Sequence, residues 1–155
     1  MMNRIDSFKD EYEFLSNFYP AQVEFERITF PTLEHAFQFA GTQDAARREQ
    51  IRQAATPGKA KRLAHKAPLR EDWPAAKVGV MRELLKQKFA AAELRQQLIE
   101  TGDREIIEGN YWQDNFWGVC TCGTCTDGQN TLGRLLMEIR QELGEEPASG
   151  FFGMD

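Results

Sequence analysis

The chain has 155 residues, 41% of them hydrophobic, and carries 19 Lys+Arg against 24 Asp+Glu for a formal charge of -5. That length suits one compact core, and the acidic balance excludes broad nucleic-acid backbone binding while leaving room for a local basic patch. No apolar run approaches the ~20 residues of a membrane span, and the N-terminal "MMNRIDSFKDEYEF" is too charged for a signal peptide, so a soluble, cytoplasmic protein is expected.

In chain order, "FLSNFYP" places Ser16 and Asn17 between aromatic residues ahead of Pro20. "QVEFERITFP" then alternates apolar and polar residues through Val23, Phe25 and Ile28, with Phe30 after them, which predicts two short strands. Pro31 and Thr32 stop the second strand and cap a helix in "TLEHAFQF". Leu33, Ala36, Phe37 and Ala40 form its apolar stripe, while Glu34, Gln38 and Gly41 form another at i, i+4, i+7. "TPGKAKRLAHK" repeats the grammar, with Thr56 as cap and Pro57 at the first helical position.

The longest helical signal is "WPAAKVGVMRELLKQKFAA", with Val78, Met81, Leu85 and Phe89 on one stripe and Lys88 on or beside it. "AELRQQLIETG" reads as a shorter helix closed by Gly102, and "REIIEG" as a strand. "TLGRLLMEIRQELG" is the last helix, facing Leu132, Leu135, Leu136, Ile139 and Leu143 inward and ending at Gly144. The irregular mixture predicts a helix-rich α+β single domain over 1–144 with a few short strands, and a flexible tail over 145–155 whose Phe151 and Phe152 could dock.

Four places carry polar groups that a bland core explains poorly. Asn17 beside Phe18 and Tyr19 fits either a Ser or Asx turn or an aromatic pocket for a planar base. Glu34 at a helix N-terminus fits dipole complementation as well as catalysis, and His35 a satisfied histidine as well as a ligand contact. Asp114, among Trp112, Phe116 and Trp117, fits a turn cap or a desolvated carboxylate. Lys88 fits a snorkelling side chain, a phosphate clamp or an amine that attacks a sugar carbonyl carbon.

"CTCGTC" holds Cys120, Cys122 and Cys125, two of them at C-x-x-C spacing, without a fourth cysteine to complete a zinc site. A reduced surface loop is the stronger reading, and no metal or other cofactor is expected. "DGQNTLG" matches no phosphate-loop pattern, although Gly128 and the amides opening the last helix could receive a phosphate.

Four phrases in order, "LSNFYPAQVEFERITFPTLEHAFQ", "LREDWPAAKVGVMRELLKQKF", "DNFWG" and "GQNTLGRLLMEIR", resemble the NADAR family of N-glycosidases, from about Phe14 to Leu143. The resemblance implies a small helix-rich α+β protein acting on N-ribosidic bonds, either of phosphoribosylamino-pyrimidine intermediates of riboflavin biosynthesis or of ADP-ribosylated guanine in nucleic acid. It implies Glu34, Asp114 and Lys88 as catalytic residues. The substrate-contact candidates are Asn17, Phe18, His35, Gln38, Trp117, Gly118 and Asn130. Two departures stand out: members commonly carry a lysine where this chain has Gly41, and the cysteine-bearing loop replaces a shorter glycine-rich connection. The competing expectations are a non-catalytic module for ADP-ribose or a nucleotide, and a zinc-stabilised interaction protein. No membrane partner is expected.

Overall fold

A computed structural model of the chain describes residues 3–123 and 127–145. Cys125 and the tail phenylalanines lie outside the described residues, so those expectations have no structural counterpart here. The protein is α+β and helix-rich, and its contacts sort into two compact units, residues 16–91 and residues 1–15 with 92–155.

The 16–91 unit opens with strands β1 (Pro20–Phe25) and β2 (Ile28–Thr32), paired antiparallel with Phe25 opposite Ile28 and Val23 opposite Phe30. Glu26 and Arg27 make the two-residue turn with φ of 51° and 67°, the left-handed pair a tight hairpin needs to match strand twist. Helix α1 (Leu33–Gly41) follows directly, capped by Thr32, whose hydroxyl accepts from the His35 amide at 3.1 Å. Then come α2 (Ala45–Arg52), capped by Asp44, α3 (Pro57–Ala64), capped by Thr56 with Pro57 in its first turn, and α4 (Trp73–Lys88).

The two-stripe reading of α1 gives way here to burial nearly all round: Glu34, His35, Phe39 and Gly41 are buried with the expected apolar stripe, and Gln38 alone is half-buried. The cause is packing from several sides, since β1, β2, α2, α3 and α4 all contact α1. The unpaired edge of β1 is closed by a side chain. Gln87 of α4 accepts from the Glu24 amide at 2.7 Å and donates to the Glu24 carbonyl at 2.8 Å, standing in for a neighbouring strand.

The other unit contains a short 3-10 helix (Asp10–Leu15), α5 (Ala92–Glu100), the two-residue strands β3 (Gly109–Asn110) and β4 (Val119–Cys120), and α6 (Thr131–Glu145). β3 and β4 pair in parallel, and Ile5 bridges Ile106 in parallel as well. "REIIEG" is therefore a bridge at Ile106 leading into β3 rather than one continuous strand. Gly144 does not end the last helix, which runs through it to Glu145; the glycine keeps a helical backbone with open space around it. Of the expected α6 stripe, Leu132, Leu135, Leu136 and Ile139 are buried, while Leu143 near the end of the helix is only half-buried.

Candidate active site

Within the 16–91 unit, the expected groups converge on the turn Ser16–Tyr19. The Phe18 amide donates to the Ser16 hydroxyl at 3.1 Å and the Tyr19 amide to the Ser16 carbonyl at 3.1 Å, so a serine turn is present. Its consecutive carbonyls do more than turn the chain. Ser16 O accepts from the Lys88 amine at 2.7 Å, and Asn17 O accepts from the Glu34 amide at 3.1 Å. One short turn thereby brings the end of α4 and the start of α1 together.

Glu34 is 7% exposed on the first turn of α1. Its Oε2 accepts from the Gln38 side-chain amide at 2.6 Å, the i, i+4 partner expected from helical spacing, which fixes the carboxylate's orientation. Lys88 is 1% exposed, flanked by the Tyr19 and Phe89 rings with its amine 5.8 Å and 5.2 Å from their centroids. Burial lowers its pKa from the ordinary 10.5 to about 7, because the ammonium loses water and no carboxylate pairs with it among the described residues. Lys88 therefore does not snorkel; near neutral pH a large share of it is free amine.

Asn17 is 8% exposed. Its amide nitrogen donates only to the Met81 sulfur at 3.6 Å, and its Oδ1 has no partner at all. Phe18, one residue on, is 42% exposed.

His35 is occupied otherwise. Its Nε2 donates to the Ala54 carbonyl at 3.0 Å, which fixes that nitrogen as the protonated one, and its Nδ1 accepts from the Thr32 hydroxyl at 2.8 Å. Nε2 thereby ties the start of α1 to the chain after α2, and Nδ1 ties the ring to the helix's own cap. Gly41 is buried beneath Trp73, and a Cβ there would lie 3.2 Å from the indole. A longer side chain at 41 would therefore have to shift the indole, and the Arg70 amide holds the Gly41 carbonyl at 2.8 Å. A groove of about 350 Å³ in this unit is lined by Phe25, Ala76, Gly79, Val80, Glu83, Leu84 and Gln87, and includes none of the expected site residues.

In the other unit, Asp114 lies in a loop organised by Asn110, a residue sequence reasoning passed over. Asn110 Oδ1 accepts from the Trp112 and Asp114 amides and its nitrogen donates to the Asp114 carbonyl at 2.8 Å. Asp114 Oδ1 accepts from the Phe116 amide at 3.1 Å and the Trp117 amide at 2.9 Å, the cap of a turn. Phe116 and Trp117 meet edge to face at 4.8 Å. Asn130, with φ of 53°, spends both ends of its amide on backbone: Oδ1 accepts from Glu108 N at 3.0 Å and Nδ2 donates to Ile106 O at 2.9 Å.

The amides opening α6 are not available to a phosphate. Those of Gln129, Asn130, Thr131 and Leu132 donate to the carbonyls of Asn115, Gly118, Phe116 and Trp117 at 2.7–3.2 Å. The reason is the approach of the 115–118 loop, which Gly128 permits: a Cβ there would strike the Gly118 carbonyl and the Asn115 side chain, just as one at Gly118 would strike the Glu108 carbonyl and the Asn110 side-chain amide. Cys120 is buried and its sulfur accepts from the Cys122 amide at 3.3 Å. Among the described residues no group of three His, Cys, Asp or Glu side chains could hold a metal, and no helix is long and apolar enough to cross a membrane.

The NADAR domain model matches residues 5–144. The chain belongs to the NADAR family. It is 38% identical over 143 residues to N-glycosidase YbiA of Escherichia coli K12, covering 90% of this chain and 87% of the relative. It is equally 38% identical, over 138 residues, to N-glycosidase Npun_R5314 of Nostoc punctiforme, covering 85% and 86%. The riboflavin biosynthesis protein VVA0006 of Vibrio vulnificus matches at 35% over 139 residues, 88% of this chain but 37% of that longer protein. The NMR structure of E. coli YbiA superimposes with a TM-score of 0.79 at 34% identity over 96% of this chain and 92% of that one. A NADAR chain of this length thus carries the family fold from end to end of its matched region.

Proposed function

We propose that this NADAR protein is an N-glycosidase, a hydrolase that cleaves the N-ribosidic bond of a phosphoribosylamino-pyrimidine of the riboflavin pathway or of ADP-ribosylated guanine. The observation that carries the reading is the Ser16–Asn17 turn, whose adjacent carbonyls hold the amine of a buried lysine and the backbone amide of Glu34, a residue whose buried carboxylate Gln38 orients.

Ring opening of an N-riboside, with a proton taken up from water by the ring oxygen, leaves a C1–nitrogen iminium. The neutral Lys88 amine adds to C1, the base departs with the proton the lysine gives up, and water then hydrolyses the lysine imine to release the sugar phosphate. Glu34 stabilises the positive charge that builds at C1 and takes a proton from the attacking water. Gln38 keeps Glu34 in place. Phe18 offers an exposed face for stacking on the base. In the other unit, Asp114 caps the turn that carries Trp117, and the Asn130 amide donates to the Gly118 carbonyl of the same loop. His35 contributes through the shape of α1 rather than by touching substrate.

Incubation with each substrate, following release of ribose 5-phosphate or ADP-ribose, tests the proposal, and borohydride during turnover should fix a sugar adduct on Lys88 detectable by mass. Binding of ADP-ribose without release from either substrate would instead support a non-catalytic recognition module and end the enzyme reading for these two classes.

A further inference from the structure

Asn17 Oδ1 is the one buried side-chain oxygen or nitrogen without a hydrogen-bond partner among the described residues. Leaving such an acceptor dry is unfavourable, and native proteins keep few of them. Exchanging the two ends of the amide does not remove the problem, because the end not facing Met81 would still lack a partner. The side chain's one hydrogen bond is a long N–H to sulfur contact, and the terminal torsion of an asparagine is broad, so a small rotation can turn Oδ1 toward an incoming group. Its backbone is by contrast fixed, since its carbonyl caps the Glu34 amide and the preceding carbonyl holds Lys88.

We propose that Asn17 determines specificity by accepting, through Oδ1, a hydrogen bond from a donor on the ribosylated substrate. The proposal rests on the glycosidase site described above. The shared chemistry is an O–H or N–H close to the reacting carbon, supplied either by a sugar hydroxyl or by an amine of the base. A site built to pair with a donor rejects an analogue lacking it far more strongly than a pocket judging size alone.

The test compares kcat/KM for the phosphoribosylamino-pyrimidine, its 2-deoxyribosyl analogue and its analogue lacking an amino group of the base other than the one that bears the ribose, in wild type, Asn17→Leu and Asn17→Asp. The wild type should lose about tenfold or more against the analogue missing the relevant donor. Asn17→Leu should lose a similar factor with the parent substrate yet treat parent and that analogue alike, while Asn17→Asp, which keeps the acceptor, retains discrimination. Discrimination lost for the deoxy analogue assigns the donor to the sugar, and for the deamino analogue to the base. Discrimination unchanged in Asn17→Leu for both analogues overturns the proposal.

Thermal unfolding separates this from a structural role. Replacing a partnerless buried acceptor by an isosteric apolar group should leave the melting temperature unchanged or raised, whereas a clear fall marks Asn17 as scaffold. If the wild type hydrolyses none of the three, the enzyme reading fails on its own. The same cycle is then read by calorimetry with ribose 5-phosphate, 2-deoxyribose 5-phosphate and the free aminopyrimidine, where equal loss on all three ligands, or none, overturns the role of Asn17.

Discussion

Replacing Lys88 by methionine tests the electrostatics of the turn directly. The fall in pKa from 10.5 to about 7 corresponds to roughly 5 kcal/mol between burying the charged and the neutral form. Below pH 7 folded and unfolded chains both hold the proton, and the native state bears that whole burden. From pH 7 to 10.5 the unfolded chain keeps a proton the folded chain has released, so stability rises with pH; above 10.5 it is again flat. Methionine preserves most of the volume and removes the titration. It also removes the bond to the Ser16 carbonyl, but that loss is common to every pH because a neutral amine still donates. Urea unfolding at pH 6 and pH 9 should therefore show Lys88→Met more stable than wild type at pH 6, with the advantage smaller at pH 9 by about 2–3 kcal/mol. An unchanged difference between the two pH values would mean that Lys88 keeps an ordinary lysine pKa, and would remove the basis for its role as a neutral nucleophile.

On the same ground, kcat/KM of the wild type should rise through about pH 7 as Lys88 deprotonates; a profile falling through that range would point to an ammonium that binds phosphate. Glu34→Gln should lower kcat by at least ~100-fold with an unchanged unfolding midpoint, read from sugar-phosphate release and urea titration. Gly118→Ala should destabilise by about 2 kcal/mol or more in chemical denaturation, because the added carbon meets the Glu108 backbone where β3 and β4 pair. Arg27→Gly should stabilise by about 0.5–1 kcal/mol, since Arg27 holds φ of 67° in the hairpin turn and its side chain enters no ion pair among those described.

Local chemistry made much of the fold legible. Thr32, Thr56 and Pro57 announced the helix starts, because caps act over a few residues, and periodicity marked Met81 and Leu85 of α4 and Leu132, Leu135, Leu136 and Ile139 of α6 as buried, while Val78 and Leu143 of the same stripes are only half-buried. Helix α2 is not legible in the sequence, since "AARREQIR" buries only Ile51 and has almost no apolar stripe. Burial of α1 on nearly every side was equally hidden: Glu34 and His35 are polar by type, and whether they meet water depends on neighbours far along the chain.

The site divides in the same way. Spacing alone placed Gln38 within reach of Glu34 and Lys88 beside an apolar stripe. Sequence by itself thus determined which elements form and which chemical groups the chain possesses, because propensity, capping and helical period are local. Only tertiary structure decided what those groups are: it gave Lys88 a single carbonyl and two aromatic faces in place of water, spent both nitrogens of His35 on the scaffold, and left Asn17 Oδ1 without a partner. Those outcomes turn on desolvation and on partners up to 72 residues away, and no pattern of neighbouring residues encodes them.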